Sequence, residues 1–221
     1  MRSMKTIELN IEEEEKKALE CAQKIFFAGG VFVYPTDTVY GLGANPFNEE
    51  ASAKITKIKQ RDERKKYILL IDDINTLLKY IEVQDEHHID FLISLWPNPV
   101  SVVLKLKKDA AKIFGNPTAA FRIPNHHFCR KLIKHLKMPL ISTSVNRSGE
   151  EPMNDFDMIS QEFRNEVDAI LYNSKHQIST YSTVIELTAD VPVLLREGKI
   201  KFHDIQNKFV LNNKQYSSIK K

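Results

Sequence analysis

Five short polar stretches follow or interrupt apolar runs in this chain, and their residue types suit the binding of an anion. They are Thr36 to Thr38; Lys59 and Arg61 around Gln60; Arg122 between Phe121 and Ile123; Ser142 to Asn146; and Tyr181 to Thr183 with Arg196 to Gly198. Together they offer four cations (Lys59, Arg61, Arg122, Arg196), many hydroxyls, the amides of Gln60 and Asn146, and few carboxylates. Arginine can clamp a carboxylate or phosphate at two points, and lysine adds a point charge. Hydroxyls and backbone N–H groups complete such a cradle. The first stretch is the most informative. Val31 to Tyr34 reads as a buried strand that stops at Pro35, and Gly41 and Gly43 beyond it would let a ligand approach the backbone.

Each stretch also has a plain reading. Lys57, Lys59 and Arg61 fall at a helix end, where cations complement the dipole without any ligand. Arg122 points opposite to Phe121 and Ile123 in a strand, so it faces either a ligand or solvent. Ser142 to Ser144 could be a hydroxyl-rich turn, with Asn146 and Gly149 as ordinary turn residues. Arg196 could form a surface pair with Glu197. Asp37 is a weak candidate for a general base. The pairs His87, His88 and His126, His127 read as surface residues.

Several chemistries lack their signatures. There is no phosphate-binding G-x-x-x-x-G-K-[ST] loop. Pro46 stands where a dinucleotide fingerprint beginning at Gly41 needs glycine. No G-x-S-x-G elbow and no H-E-x-x-H pair is present, and two cysteines without a paired spacing make a structural zinc improbable. Cys21 and Cys129 read as free thiols. The net charge of +3 on 221 residues does not by itself argue for nucleic acid. No apolar run is long enough to span a membrane, and Met1 to Thr6 lacks an apolar signal core, so the expected location is the cytoplasm.

These groups need elements to hold them. Asn10 with Glu13 resembles a capping box opening a helix that runs to about Ala28 and stops at Gly29 and Gly30. Asn48 caps a second helix with Ala51, Ile55 and Ile58 on its apolar face. Strands are expected at Val31–Tyr34, Tyr67–Ile71, Val100–Leu106, Ala119–Ile123, Leu140–Thr143, Ala169–Tyr172, Ser182–Leu187 and Val193–Arg196. Helices are expected over Ile74–Ile81, His87–Trp96 and Asn125–Lys137, the last with Phe128, Leu132, Ile133 and Leu136 inward. Strands and helices intermix, which gives an α/β class with a mixed sheet. One domain over residues 1–210 is expected, with residues 211–221 as a flexible tail.

The order of these motifs resembles the YrdC/TsaC family of L-threonylcarbamoyladenylate synthases. The resemblance covers roughly Ala28 to Lys199. It is carried by Pro35 to Gly43, Lys59 with Arg61, Trp96 to Pro99, Arg122 to Pro124, Ser142 to Asn146 with Ser148 and Gly149, Ser182 to Val184, and Arg196 to Gly198. It implies a twisted open mixed sheet flanked by helices, with a concave basic site. It also implies a reaction of L-threonine, bicarbonate and ATP to threonylcarbamoyl-AMP and pyrophosphate, with Mg2+ accompanying ATP and no metal held by the protein. The product would serve separate threonylcarbamoyl-transferase proteins that modify tRNA. By position, Thr36, Arg122, Ser142 and Ser182 match residues that hold threonine. Lys59, Arg61, Ser144, Asn146 and Arg196 match residues near ATP, with Lys59 and Arg61 as the catalytic pair. The chain departs from the family's usual pattern at Asp62 and at Tyr67 and Ile68, where proline and Pro-Leu are common. A different class also fits the cations: a non-catalytic module that binds tRNA or double-stranded RNA through its phosphates.

Overall fold

The computed structural model describes residues 5–60, 67–83, 85–174 and 180–219, with side chains to 213. The first half runs β1 (Ile7–Asn10), α1 (Glu15–Phe27), β2 (Phe32–Tyr34), β3 (Gly41–Ala44), α2 (Glu49–Lys59), β4 (Ile68–Leu70), α3 (Ile74–Leu78), α4 (Glu86–Leu95) and β5 (Val100–Lys105). It continues with α5 (Lys108–Phe114), β6 (Thr118–Arg122), α6 (His127–Leu136), β7 (Leu140–Ser144), α7 (Phe156–Phe163), β8 (Ala169–Tyr172), β9 (Thr183–Glu186), β10 (Val193–Arg196) and α8 (Phe202–Ile219). The ten strands make one open sheet in the order β1-β8-β2-β3-β7-β4-β6-β5-β9-β10. It is mixed. The β1–β8, β2–β8, β4–β6 and β5–β9 pairs are parallel and the others antiparallel. No described helix is long and apolar enough to cross a membrane.

Strand alternation gives the sheet two faces. On one, Leu69, Ile141, Phe121 and Val102 join Ile55, Phe91, Ile159 and Phe209 of the flanking helices in the larger core. On the other, α1 and α6 pack Ala22, Phe26, Phe128 and Leu132 onto Phe32, Tyr34, Leu70 and Leu140. This second cluster stops short of Ser142, Ala120, Val103 and Val184, which line a cleft instead.

Local signals explain most boundaries. Asn48 caps α2 by accepting from Ala51 N at 2.9 Å, and Gly29 ends the chain's first helix with φ +71°. Asn10, however, is not a helix cap. It ends β1, and its Oδ1 accepts from Glu12 N at 3.0 Å, while α1 begins at Glu15 with no side-chain cap. Pairing of Asn10 with Tyr172 fixes it in the sheet. The histidines also correct the surface reading. His88 is buried with its ring near Phe209, and His126 caps α6, its Nδ1 accepting from Cys129 N at 3.3 Å. Residues 211–219 of the expected tail belong to helix α8, and Asn212 Nδ2 donates to Ser94 Oγ at 2.9 Å. Both cysteines are free thiols.

Candidate active site

The cleft has a volume of about 330 Å3. Its floor follows from register: Ile68 pairs with Ser142 on one side and Ala120 on the other, and Ala120 pairs with Val103. Short side chains at Ser142 and Ala120 keep the middle of the floor low.

At one end stands Arg122, the last residue of β6 and only 3% exposed. It turns away from Phe121 as alternation requires, but into the cleft and not into solvent. Nη1 donates to Thr38 Oγ1 at 3.1 Å and lies 3.6 Å from Asp37 Oδ1. Thr36 Oγ1 accepts from Thr38 N at 3.0 Å and donates to Val39 O at 2.7 Å. The two threonine hydroxyls are 3.0 Å apart. A hydroxyl has one proton, so Thr38 donates to Thr36 and the chain of bonds runs one way, from Arg122 to Val39. Asp37 Oδ2 accepts from Asn125 N at 2.9 Å, which anchors the turn. Asp37 Oδ1 and Arg122 Nε are buried without a hydrogen bond. A buried guanidinium is costly unless its donors are met, so this fork retains capacity for an acceptor.

At the other end Arg196 donates from Nη2 to Ser182 O at 2.9 Å and to Ser182 Oγ at 3.3 Å. Its Cζ lies 5.0 Å from the centre of the Tyr181 ring, a cation–π distance. Ser182 Oγ is in turn 3.1 Å from Ser101 Oγ. Arg196 keeps solvent exposure, and desolvation of its cleft-facing part, foremost, lowers its pKa; Tyr181 opposes this, and the like charge of Arg122 adds to it. Both arginines line the one cleft. Among the described residues no carboxylate lines that volume, so a bound anion would relieve their repulsion. Glu197 does not pair with Arg196 as its adjacency allowed. Its carboxylate accepts from Phe202 N at 3.1 Å and meets Lys201 at 3.3 Å. Those bonds, the backbone one first, lower its pKa.

The 196–200 segment is latched to β9. Thr183 Oγ1 accepts from Gly198 N at 3.0 Å and Ile200 N at 3.2 Å, and Lys199 N donates to Tyr181 O at 2.8 Å. Gly198 is required by space: a Cβ there would sit 2.3 Å from Tyr181 O.

Lys59 and Asn146 lie outside the cleft's described lining, behind Ser144. The Lys59 ammonium is buried and donates to Ser144 O at 2.6 Å, Asn146 O at 3.0 Å and Asn146 Oδ1 at 2.7 Å. Ser144 Oγ donates to Asn146 Oδ1 at 2.6 Å. Arg147 adds a second clamp. It bonds Ile58 O, pairs with Glu162 at 2.7 Å and Glu166 at 2.5 Å, and its Cζ lies 4.6 Å from the Phe163 ring centre.

The structure thus gathers Thr36, Arg122, Ser142, Ser144, Ser182 and Arg196 around one cleft, with Lys59 and Asn146 bracing its wall. Arg61 lies outside the described residues. Gly41 lines the cleft, whereas the space beside Gly43 is filled by Phe32 and Tyr34 rings, a Cβ there meeting both at 2.9 Å. Sequence reasoning included Thr38 only as part of the Thr36 to Thr38 stretch and had no site role for Tyr67 or Ser101. Ser101 carries no signal, because a polar residue in an alternating strand reads as solvent-facing.

The sequence and fold have known counterparts. The family model Sua5_yciO_yrdC, described as telomere recombination, matches residues 24–198. A protein of Methanocaldococcus jannaschii, provisionally named threonylcarbamoyl-AMP synthase, is 35% identical over 199 residues, covering 89% of this chain and 93% of that protein. The fold matches P. abyssi Sua5 complexed with L-threonine (TM-score 0.83, 29% identity, 93% of this chain). It also matches E. coli YciO (TM-score 0.77, 27% identity, 91% of this chain and 98% of that one). The chain spans 61% of that Sua5 chain. The order of the sheet, the cleft upon it and a model match over most of its length place this chain in the Sua5/YciO/YrdC family.

Proposed function

We propose that this chain is an L-threonylcarbamoyladenylate synthase. It joins L-threonine, bicarbonate and ATP to give threonylcarbamoyl-AMP, pyrophosphate and water, and the product goes to transferase proteins that modify an adenosine of tRNA. One domain, residues 1–210, carries the activity in the cytoplasm. The observation that carries the reading is the pair Arg122 and Arg196, facing one volume that no carboxylate lines among the described residues and that the hydroxyls of Ser142, Ser144 and Ser182 border. The L-threonine complex of the Sua5 relative and the name of the M. jannaschii relative support it.

The contacts around the cleft support the following roles, and that of Arg61 rests on its place in the family's motif order. Arg122 takes the threonine carboxylate, held at the right angle by Thr38 and Asp37. Thr36, Ser142 and Ser182 surround the amino acid so that its nitrogen meets bicarbonate. Proximity supplies much of the acceleration. The carbamate oxygen then attacks the α-phosphorus of ATP, and pyrophosphate leaves. Arg196 and Arg61 meet the charge that builds on phosphorus oxygens. Lys59 acts from behind the wall: its three bonds fix Ser144 and Asn146 against the nucleotide. Mg2+ enters on the ATP phosphates as part of the substrate.

The test is pyrophosphate release by the purified chain without RNA. It should require both threonine and bicarbonate, and Arg122→Ala should raise the threonine KM by about 100-fold, the scale of an unpaired buried charge contact. Pyrophosphate release that ignores threonine, or RNA affinity with no turnover, would overturn the assignment.

A further inference from the structure

The strands that floor the cleft also floor a second cavity on the opposite face of the sheet. Alternation sends Ile68, Ser142 and Ala120 into the cleft and Leu69, Ile141 and Ala119 the other way. Those three form the base of a groove of about 380 Å3 between α2 and α5. Its sides carry Phe114 and Ile113 from α5, and Ser52, Ala53 and Thr56 from α2. Ile113 is 57% exposed there. Tyr67 stands in the walls of both cavities, and its hydroxyl is 2.7 Å from Thr56 Oγ1.

The two cavities differ in charge. The cleft has two arginines and no carboxylate among its described residues, whereas Glu49 is the one charged group among the described residues of the groove. An apolar base with a few hydroxyls and a single carboxylate at its side is the wall chemistry of a small-molecule site. It admits an apolar planar body, offers a partner to a cation, and repels phosphates and carboxylates. We propose that this groove is a second binding site, for a small molecule bearing a protonated amine on an aromatic body, and that Tyr67 links its occupancy to the cleft. The inference does not depend on the reaction assigned above.

The test uses the full chain and three probes of one shape: benzylamine, benzyl alcohol and benzoate, followed by ligand-observed NMR. Benzylamine should bind most tightly, benzyl alcohol more weakly and benzoate more weakly still. Benzylamine should also shift the Tyr67 signals of tyrosine-labelled protein. Glu49→Gln should weaken benzylamine roughly two- to fivefold, the worth of an exposed ion pair, and leave benzyl alcohol unchanged. Ala53→Trp, at an exposed helix position, should fill the groove and abolish binding of both. Should Ala53→Trp fold poorly, the Glu49→Gln comparison still decides. Benzoate binding as well as benzylamine, full binding in a folded Ala53→Trp variant, no effect of Glu49→Gln on benzylamine, or no benzylamine binding overturns the site. Binding without any change at Tyr67 overturns the link.

Discussion

Gly198→Ala should cripple catalysis through a single methyl group. The new Cβ would lie 2.3 Å from Tyr181 O, 2.5 Å from Ser182 C and 2.6 Å from Ser182 O. All three are backbone atoms, so no side chain can rotate away. Ordinary contact begins at 3.4 Å, and restoring it moves the Tyr181–Ser182 backbone or the 196–200 segment by about 1 Å, a displacement that can cost about 100-fold in rate. The move is not idle. Ser182 O accepts from Arg196, and Tyr181 O accepts from Lys199 N. The stability cost should be about 1–3 kcal/mol, the range for an added buried methyl. Gly198 does not occupy the left-handed region, so its intolerance is one of space. Gly115 supplies the contrast. It has φ +61° and open surroundings, so Gly115→Ala should cost about 1 kcal/mol of stability and leave the rate unchanged. The assay is threonine-dependent pyrophosphate release, run beside thermal melting of each variant. If folded Gly198→Ala turns over within about threefold of the parent, a barrier change below 1 kcal/mol, the close approach does not set the site.

Three further outcomes are expected. Lys59→Met should lose about 2–4 kcal/mol in denaturant unfolding, because three acceptors lose a charged donor. It should raise the ATP KM more than the threonine KM. Asp37→Asn should destabilise by about 1–3 kcal/mol, since an amide has one acceptor oxygen and must present its NH2 to either Asn125 N or Arg122. Unchanged melting of that variant would remove Asp37 as the anchor. Burial, foremost, lowers the His126 pKa below 6.5 in the fold. The unfolded chain therefore binds the proton first, and stability falls as pH drops below about 6.5. His126→Asn keeps a capping acceptor without titrating, so it should flatten that part of the pH–stability curve, read by melting at a series of pH values.

Sequence alone reached the elements whose pattern is local. β8 and β10 appear where alternation and turn residues placed them, and α6 buries Phe128, Leu132, Ile133 and Leu136 as its periodicity requires. β3 was missed because two glycines in four residues argue against a strand. It exists because Phe32 and Tyr34 of β2 lie across it, filling the space its Cβ atoms would take. β1 was missed because its partner β8 is far away in the chain. α7 did carry a signal, since Asp155 caps it by accepting from Met158 N at 3.0 Å, whereas α5 has no side-chain cap to announce it. At the site, residue types pointed to an anion and the structure brings six of the named residues to one cleft. The burial of Lys59 was not legible, because a lysine at a helix end gives no hint that its ammonium bonds a neighbouring strand.

Arg196 shows why residue identity could not settle the geometry. Val193 pairs with Glu186 and Leu194 with Ile185. In an unbroken antiparallel ladder Leu195 would face Val184, and Arg196 would face Thr183. Paired residues share a face, and Val184, unlike Thr183, lines the cleft. Regular pairing would therefore aim Arg196 away from Arg122. Instead the register shifts between Leu194 and Arg196, leaving Leu195 as the extra residue, and Arg196 pairs with Val184. One bulged residue reverses the face of everything after it. The electrostatic character of the cleft thus depends on a backbone irregularity at an exposed leucine, which neither composition nor alternation announces.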